Sequence, residues 1–231
     1  MPNHCENELL IVGYASAIDD FLSQIAVTDE EAIKEMESFY GDCYPVKILD
    51  NLYPCPEELK NVKANFLSPE EDDDEGKAKA LNVKLYGHAD WYSWCNDNWG
   101  TKWGDYEGRL TGSDYILTDY LKSNKLYTLD YDNGNKVILD PSVALDQQFK
   151  YAVIDFQSAW SPPSNGIEFI SSVFRDINFY LYFSEPGMNF MGFDEYQNGE
   201  CLGTDTVDMI ETVDNRMGNL EWIVERNFGD E

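Results

Sequence analysis

The stretch YAVIDFQSAWSPPSNGIEFISSVFRDINFYLYF, residues 151–183, decides the fold. Within Tyr151–Ser158, Ala152, Ile154 and Phe156 fall on one side, the period-two pattern of a half-buried strand. Ser161-Pro-Pro-Ser-Asn-Gly166 then reads as a helix start, because Pro suits a first helical turn and Ser or Asn can cap it. Ile167, Ile170 and Phe174 line one side of a helix over 164–175, and Asn178–Phe183 is a second strand. Ser184-Glu-Pro-Gly187 is a tight turn into Met188–Phe193, so those two strands should pair antiparallel.

The same order of elements occurs earlier in the chain. Glu8–Tyr14 is a short apolar strand. Ser16 is placed to cap a helix over 16–26, in which Ile18, Phe21, Leu22 and Ile25 recur at helical spacing. A second helix is expected over 30–39 with Thr28 as its cap. Trp91, Trp94, Cys95 and Trp99 suggest a short helix over 89–98, and Gly100–Gly104 turns into a strand over about 101–109. Strand, helix, strand, repeated, is the split βαβ pattern. The expectation is an α+β, ferredoxin-like domain: an antiparallel sheet with two helices on one face.

Residues 1–231 read as one elaborated domain. Residues 112–148 form an insertion, with a β-hairpin of 126–131 and 136–139 around Asp132-Asn-Gly-Asn135. A C-terminal helix is expected over 218–227. Between 40 and 87, Pro45, Pro54, Pro56 and Pro69 interrupt any regular pattern. The acidic run 70–75 reads as a solvated loop, since its consecutive acids lack the alternation of a calcium loop.

Charge bounds the function. The chain has 44 Asp and Glu against 16 Lys and Arg, a net −28. That argues against direct nucleic-acid binding and against docking on an anionic membrane, since both depend on Lys and Arg. From Tyr151 onward there are 15 acids against Arg175, Arg216 and Arg226, a net −12, with no Lys after Lys150. Five widely spaced cysteines without a CxxC pair read as free thiols in a reducing cytoplasm. No leader-like N-terminus or membrane-length apolar run is evident.

Three segments together resemble a known family. They are the opening Met-Pro-Asn-His-Cys-Glu-Asn, the tryptophan-rich stretch from Asp90 to Trp103, and Phe156-Gln-Ser-Ala-Trp-Ser-Pro-Pro163. The chain resembles the YubB-type proteins of bacterial plasmids and phages, a family of unknown function with a ferredoxin-like domain. The resemblance spans the core but not 112–148 or the acidic C-terminus, and Gly104 stands where an acid is expected. It implies an accessory protein of a bacterial cytoplasm and supplies no catalytic residues.

No phosphate loop, dinucleotide fingerprint or nucleophile elbow is present. Cys95 with His88 is the nearest nucleophile–base pair, and a seven-residue gap does not place them on one helix face. The zinc-type residues His4, Cys5, His88, Asp90, Cys95 and Asp97 lack paired ligand spacing. The expectation is a protein with no enzymatic activity, cofactor or metal, acting through protein–protein contact. Its partner would be a basic host protein or nucleic-acid-handling complex. The contact surface would use Asp194, Glu195, Glu200, Asp205, Asp208, Glu211, Asp214, Glu221 and Glu225, and the sharpest form is a counter-defence inhibitor mimicking nucleic acid. The alternative is a small-molecule or peptide groove lined by Trp99, Lys102, Trp103 and Trp160. An undetected hydrolase or nucleotide-modifying enzyme ranks third.

Overall fold

In the computed structural model, residues 3–64, 74–115, 128–131, 135–138 and 149–208 are described. Strand β1 (His4–Tyr14) leads directly into helix α1 (Ala15–Ile25), and α2 (Glu30–Tyr40) follows. After β2 (Tyr44–Pro45) come α3 (Leu49–Leu52), α4 (Glu57–Lys60), α5 (Asp74–Tyr86) and α6 (Trp91–Asn98). Then follow β3 (Tyr106–Tyr115), β4 (Thr128–Tyr131), β5 (Asn135–Ile138) and β6 (Phe149–Ala159). Helix α7 (Ser164–Val173) leads to β7 (Ile177–Glu185), β8 (Phe190–Gln197) and β9 (Glu200–Asp208).

Seven strands form one sheet in the order β2-β3-β6-β1-β7-β8-β9, and every pairing in it is antiparallel. The central β3-β6-β1-β7, with crossovers through α1 and α7, is the ferredoxin-like arrangement. Strands β8 and β9 extend one side as hairpins. The β4–β5 hairpin forms its own two-stranded sheet.

Period two builds the core. Leu9 and Ile11 of β1, Ala152, Ile154 and Phe156 of β6, and Phe179 and Leu181 of β7 all point at α1 and α7 and are buried. Phe21 of α1 meets Phe174 and Phe179 edge to face, with ring centroids at 5.0 and 5.7 Å. The alternate positions Leu10, Val12, Tyr180 and Tyr182 form a smaller buried cluster on the opposite face.

Several boundaries differ from the sequence expectation. Helix α1 begins at Ala15 behind Tyr14, with no side-chain cap from Ser16. Asp29, not Thr28, caps α2, accepting from the Ala32 amide at 2.8 Å. The second core strand, β3, starts at Tyr106 rather than near 101 and runs to Tyr115, into the expected insertion. The preceding residues bend because Asp105 turns inward, accepting from the Ile48 and Leu49 amides at 2.7 Å each. Helix α5 occupies part of the region read as irregular, and Asp74 and Glu75 of the acidic run form its first turn. It faces the protein with Gly76, Lys79 and Asn82 while Leu81, Val83 and Leu85 are exposed, so no apolar stripe marks it in sequence. Strand β9 was not anticipated, although Asn198-Gly199 is a hairpin signal; both residues adopt positive φ, 55° and 80°. The expected helix over 218–227 lies outside the described residues.

Candidate functional site

The β8–β9 hairpin carries the described part of the expected acidic surface. Glu200, Asp205 and Asp208 are exposed on β9, the outermost strand, and Glu195 is half-buried on β8. The strand alternation puts Asp205, opposite Phe193, and Asp208, opposite Phe190, on opposite faces of the sheet. The acids therefore follow the edge of the sheet rather than one flat face. Among the described strands, none pairs with the outer side of β9. Glu211, Asp214, Glu221 and Glu225 lie outside the described residues.

Asp194 corrects the expectation for this surface: it is only 5% exposed. Its Oδ2 accepts from Ser164 Oγ at 2.6 Å and Tyr196 OH at 2.8 Å, and its Oδ1 accepts from Thr204 Oγ1 at 2.7 Å. Three hydroxyls replace water around a carboxylate that β8 directs under the first turn of α7. Burial is the main cause that pushes the Tyr196 phenol well above its ordinary range, and Asp194 adds to it. A cavity of about 460 Å³ opens beside this cluster. It is lined by Phe183, Phe190 and Tyr196, and also by Glu168, Thr206 and the exposed Cys201.

The tryptophans divide. Trp99 is 3% exposed and cannot line a groove, which corrects the expectation for it. Its indole N–H donates to the Tyr53 carbonyl at 2.8 Å, its ring meets Trp94 edge to face, and its carbonyl accepts from the Gly166 amide at 3.2 Å. It is a wedge between α6 and α7. Trp103 and Trp160 are 38% and 44% exposed. The Lys102 ammonium stands 4.8 Å from the Trp103 ring centroid and 5.9 Å from that of Tyr92.

On the sheet face away from α1 and α7, Arg109, Asp155 and Glu8 lie side by side across β3, β6 and β1. Arg109 pairs with Asp155 at 3.1 Å and stacks on Tyr40. Burial, then the facing Asp155, raises the Glu8 carboxyl above its usual range. Beyond this row, Tyr106 OH, His4 and Gln157 are hydrogen-bonded in sequence, and Gln157 donates to Glu6 at 2.8 Å.

The other candidates are dispersed. His88 sits 3.7 Å from Asp97, while the Cys95 thiol is buried in the main core with Cys55, so the fold does not assemble His88 with Cys95. Ser158 and Ser161 do not cap α7: Ser158 donates to the Ser161 carbonyl, and Ser161 to the Gly100 carbonyl. Among the described residues, no helix is long and apolar enough to cross a membrane.

Residues 143–219 match a family model described as a ferredoxin-like domain in Api92-like protein. The matched segment contains β6, α7, β7, β8 and β9, which hold the hydroxyl-bound Asp194 and the acidic edge. The crystal structure of a protein api92 from Yersinia pseudotuberculosis is similar at 12% identity and a TM-score of 0.40, over 90% of this chain and 98% of that one. A comparison with curated proteins gives no match. The ferredoxin-like part of the sequence resemblance is thus shown over 143–219, under the Api92-like description rather than the YubB-type one.

Proposed function

We propose that this protein acts without catalysis, by binding a basic partner protein along the acidic outer edge of its sheet. One observation carries the reading: among the described strands β9 is the exposed edge, and it bears Glu200, Asp205 and Asp208 and no Lys, Arg or Pro. An exposed strand edge offers backbone donors and acceptors to an incoming strand, and natural proteins guard such edges with charge, often Lys. Acidic guards repel a second acidic edge and attract a basic segment, so they select the partner as well as prevent aggregation. Strand addition to β9 supplies the main-chain hydrogen bonds, and the carboxylates supply steering. The sharper form of this reading is a plasmid or phage accessory protein that competes with nucleic acid for the basic groove of a host complex.

The test is a pull-down from bacterial lysate with the wild-type chain and with the triple substitution Glu200→Lys, Asp205→Lys, Asp208→Lys. A partner captured at low salt should be released at high salt, lost in the triple variant, and displaced by added duplex DNA or RNA. Capture that survives both salt and the triple substitution would refute edge binding. Capture that neither nucleic acid displaces would refute the mimicry.

A further inference from the structure

We propose that the cavity between α7 and the β8–β9 hairpin takes the side chain of a Lys or Arg from the segment that adds to β9. This rests on the reading of β9 as a docking edge and identifies the anchor beside it. The cavity, of about 460 Å³, is lined among the described residues by two carboxylates, Glu168 and Asp194, and by no Lys, Arg or His. Its aromatic walls, Phe183, Phe190 and Tyr196, suit the methylene stem of a long basic side chain.

Asp194 is the buried carboxylate of the two. It is 5% exposed, and among the described residues no cation pairs with it or with Glu168. Buried charges in proteins are ordinarily paired. Three neutral hydroxyls satisfy three of the four acceptor directions of the carboxylate, leaving one on Oδ1. The positive end of α7 offsets part of this charge at Ser164, but Glu168 lies a turn further in and adds a second. The cavity is therefore a net negative, aromatic-walled site at the sheet edge.

The site also lies where an added strand would present side chains. Thr204 and Thr206 are alternate positions of β9, and both line the cavity. A strand paired to β9 lies about 4.8 Å away and turns every second side chain to that same face. A Lys or Arg at one of those positions has the length to reach past Thr204 towards Asp194 and Glu168.

Two probes test the cavity and the edge separately, using chemical-shift mapping on the whole chain. Argininamide, with acetyl-leucine amide as the apolar control, probes the cavity; a Thr-Lys-Thr-Lys-Thr-Lys-Thr peptide probes the edge. Argininamide should shift Glu168, Thr204 and Thr206, the control should not, and Glu168→Gln should weaken argininamide binding at least threefold. Because the Glu168 carboxylate makes no hydrogen bond or ion pair among the described residues, that variant keeps the fold intact. The absence of shifts at these residues, or equal binding by Glu168→Gln, overturns the anchor. Slowed amide exchange along β9 with the peptide but no cavity shifts leaves the edge standing and sinks the anchor. Cavity shifts with argininamide but unchanged β9 exchange with the peptide sink the edge and leave a cation site.

Discussion

Ser164 Oγ donates to Asp194 Oδ2 at 2.6 Å and thereby joins the first turn of α7 to β8. The same carboxylate receives Thr204 from β9 and Tyr196 from its own strand, so one buried acid fastens three elements. Removing it strands the donors around it. Asp194→Ala should therefore destabilise the fold by about 3 kcal/mol, the scale of leaving buried polar groups unpaired. Ser164→Ala, which removes one donor and leaves two, should cost about 1 kcal/mol. Urea denaturation of both variants measures this, and equal costs would remove Asp194 from its central place.

Gly166 lies inside α7, where alanine ordinarily favours a helix by about 1 kcal/mol. Here a Cβ would stand 2.6 Å from Leu49 Cδ2 and 3.4 Å from Trp99 Cδ1. Gly166→Ala should lower stability by about 1–3 kcal/mol through overpacking. A raised thermal midpoint would contradict the close approach of α7 to Leu49.

Asp105 is fully enclosed, and burial pushes its carboxyl up to about 6 in spite of the amides of Ile48 and Leu49. A carboxyl raised in the folded state binds its proton more tightly there than in the unfolded chain. Its contribution is fully present below about pH 4 and is lost as pH rises through about 6. The stability of wild type relative to Asp105→Asn should therefore fall between those values. Paired denaturation curves at pH 4, 5 and 6 check this, and a gap that widens with pH would reverse the assignment.

Cys201 is the exposed thiol of the five, whereas Cys5, Cys55 and Cys95 are buried and Cys43 is half-buried. Burial, and then the Asp194 charge, raises the Cys201 thiol above its ordinary value. A bulky maleimide should label Cys201 well before Cys5, Cys55 and Cys95 in the native state. Labelling should quicken as pH rises towards and past 9, as the thiolate forms. Mass spectrometry of peptides from a time course reads the order, and early labelling of Cys95 would contradict its packing against Cys55.

Much of the fold was legible because a sheet position and a helix face are written in local periodicity. Ile18, Phe21, Leu22 and Ile25 mark the buried side of α1 in sequence, and Ala152, Ile154 and Phe156 that of β6; the structure buries all of them. Helix α5 was not legible, because a helix that turns Lys79 and Asn82 inward leaves no apolar stripe to read. The start of β3 was misplaced for a related reason: Asp105 acts through the distant amides of Ile48 and Leu49, which no local window contains.

The sequence by itself determined the ferredoxin-like order of strands and helices, the net −28 and the acidic bias after Lys150. Each is a property of neighbouring residues or of simple sums. Only the tertiary structure decided which carboxylates meet solvent and which tryptophans do. Asp194 and Glu195 are adjacent acids, yet alternation along β8 turns Asp194 under α7 and Glu195 to the other face. Trp99 and Trp103 are four residues apart, yet α7 covers Trp99 and leaves Trp103 at the surface. Burial is set by what another element brings to a position, and that partner lies far away in the chain.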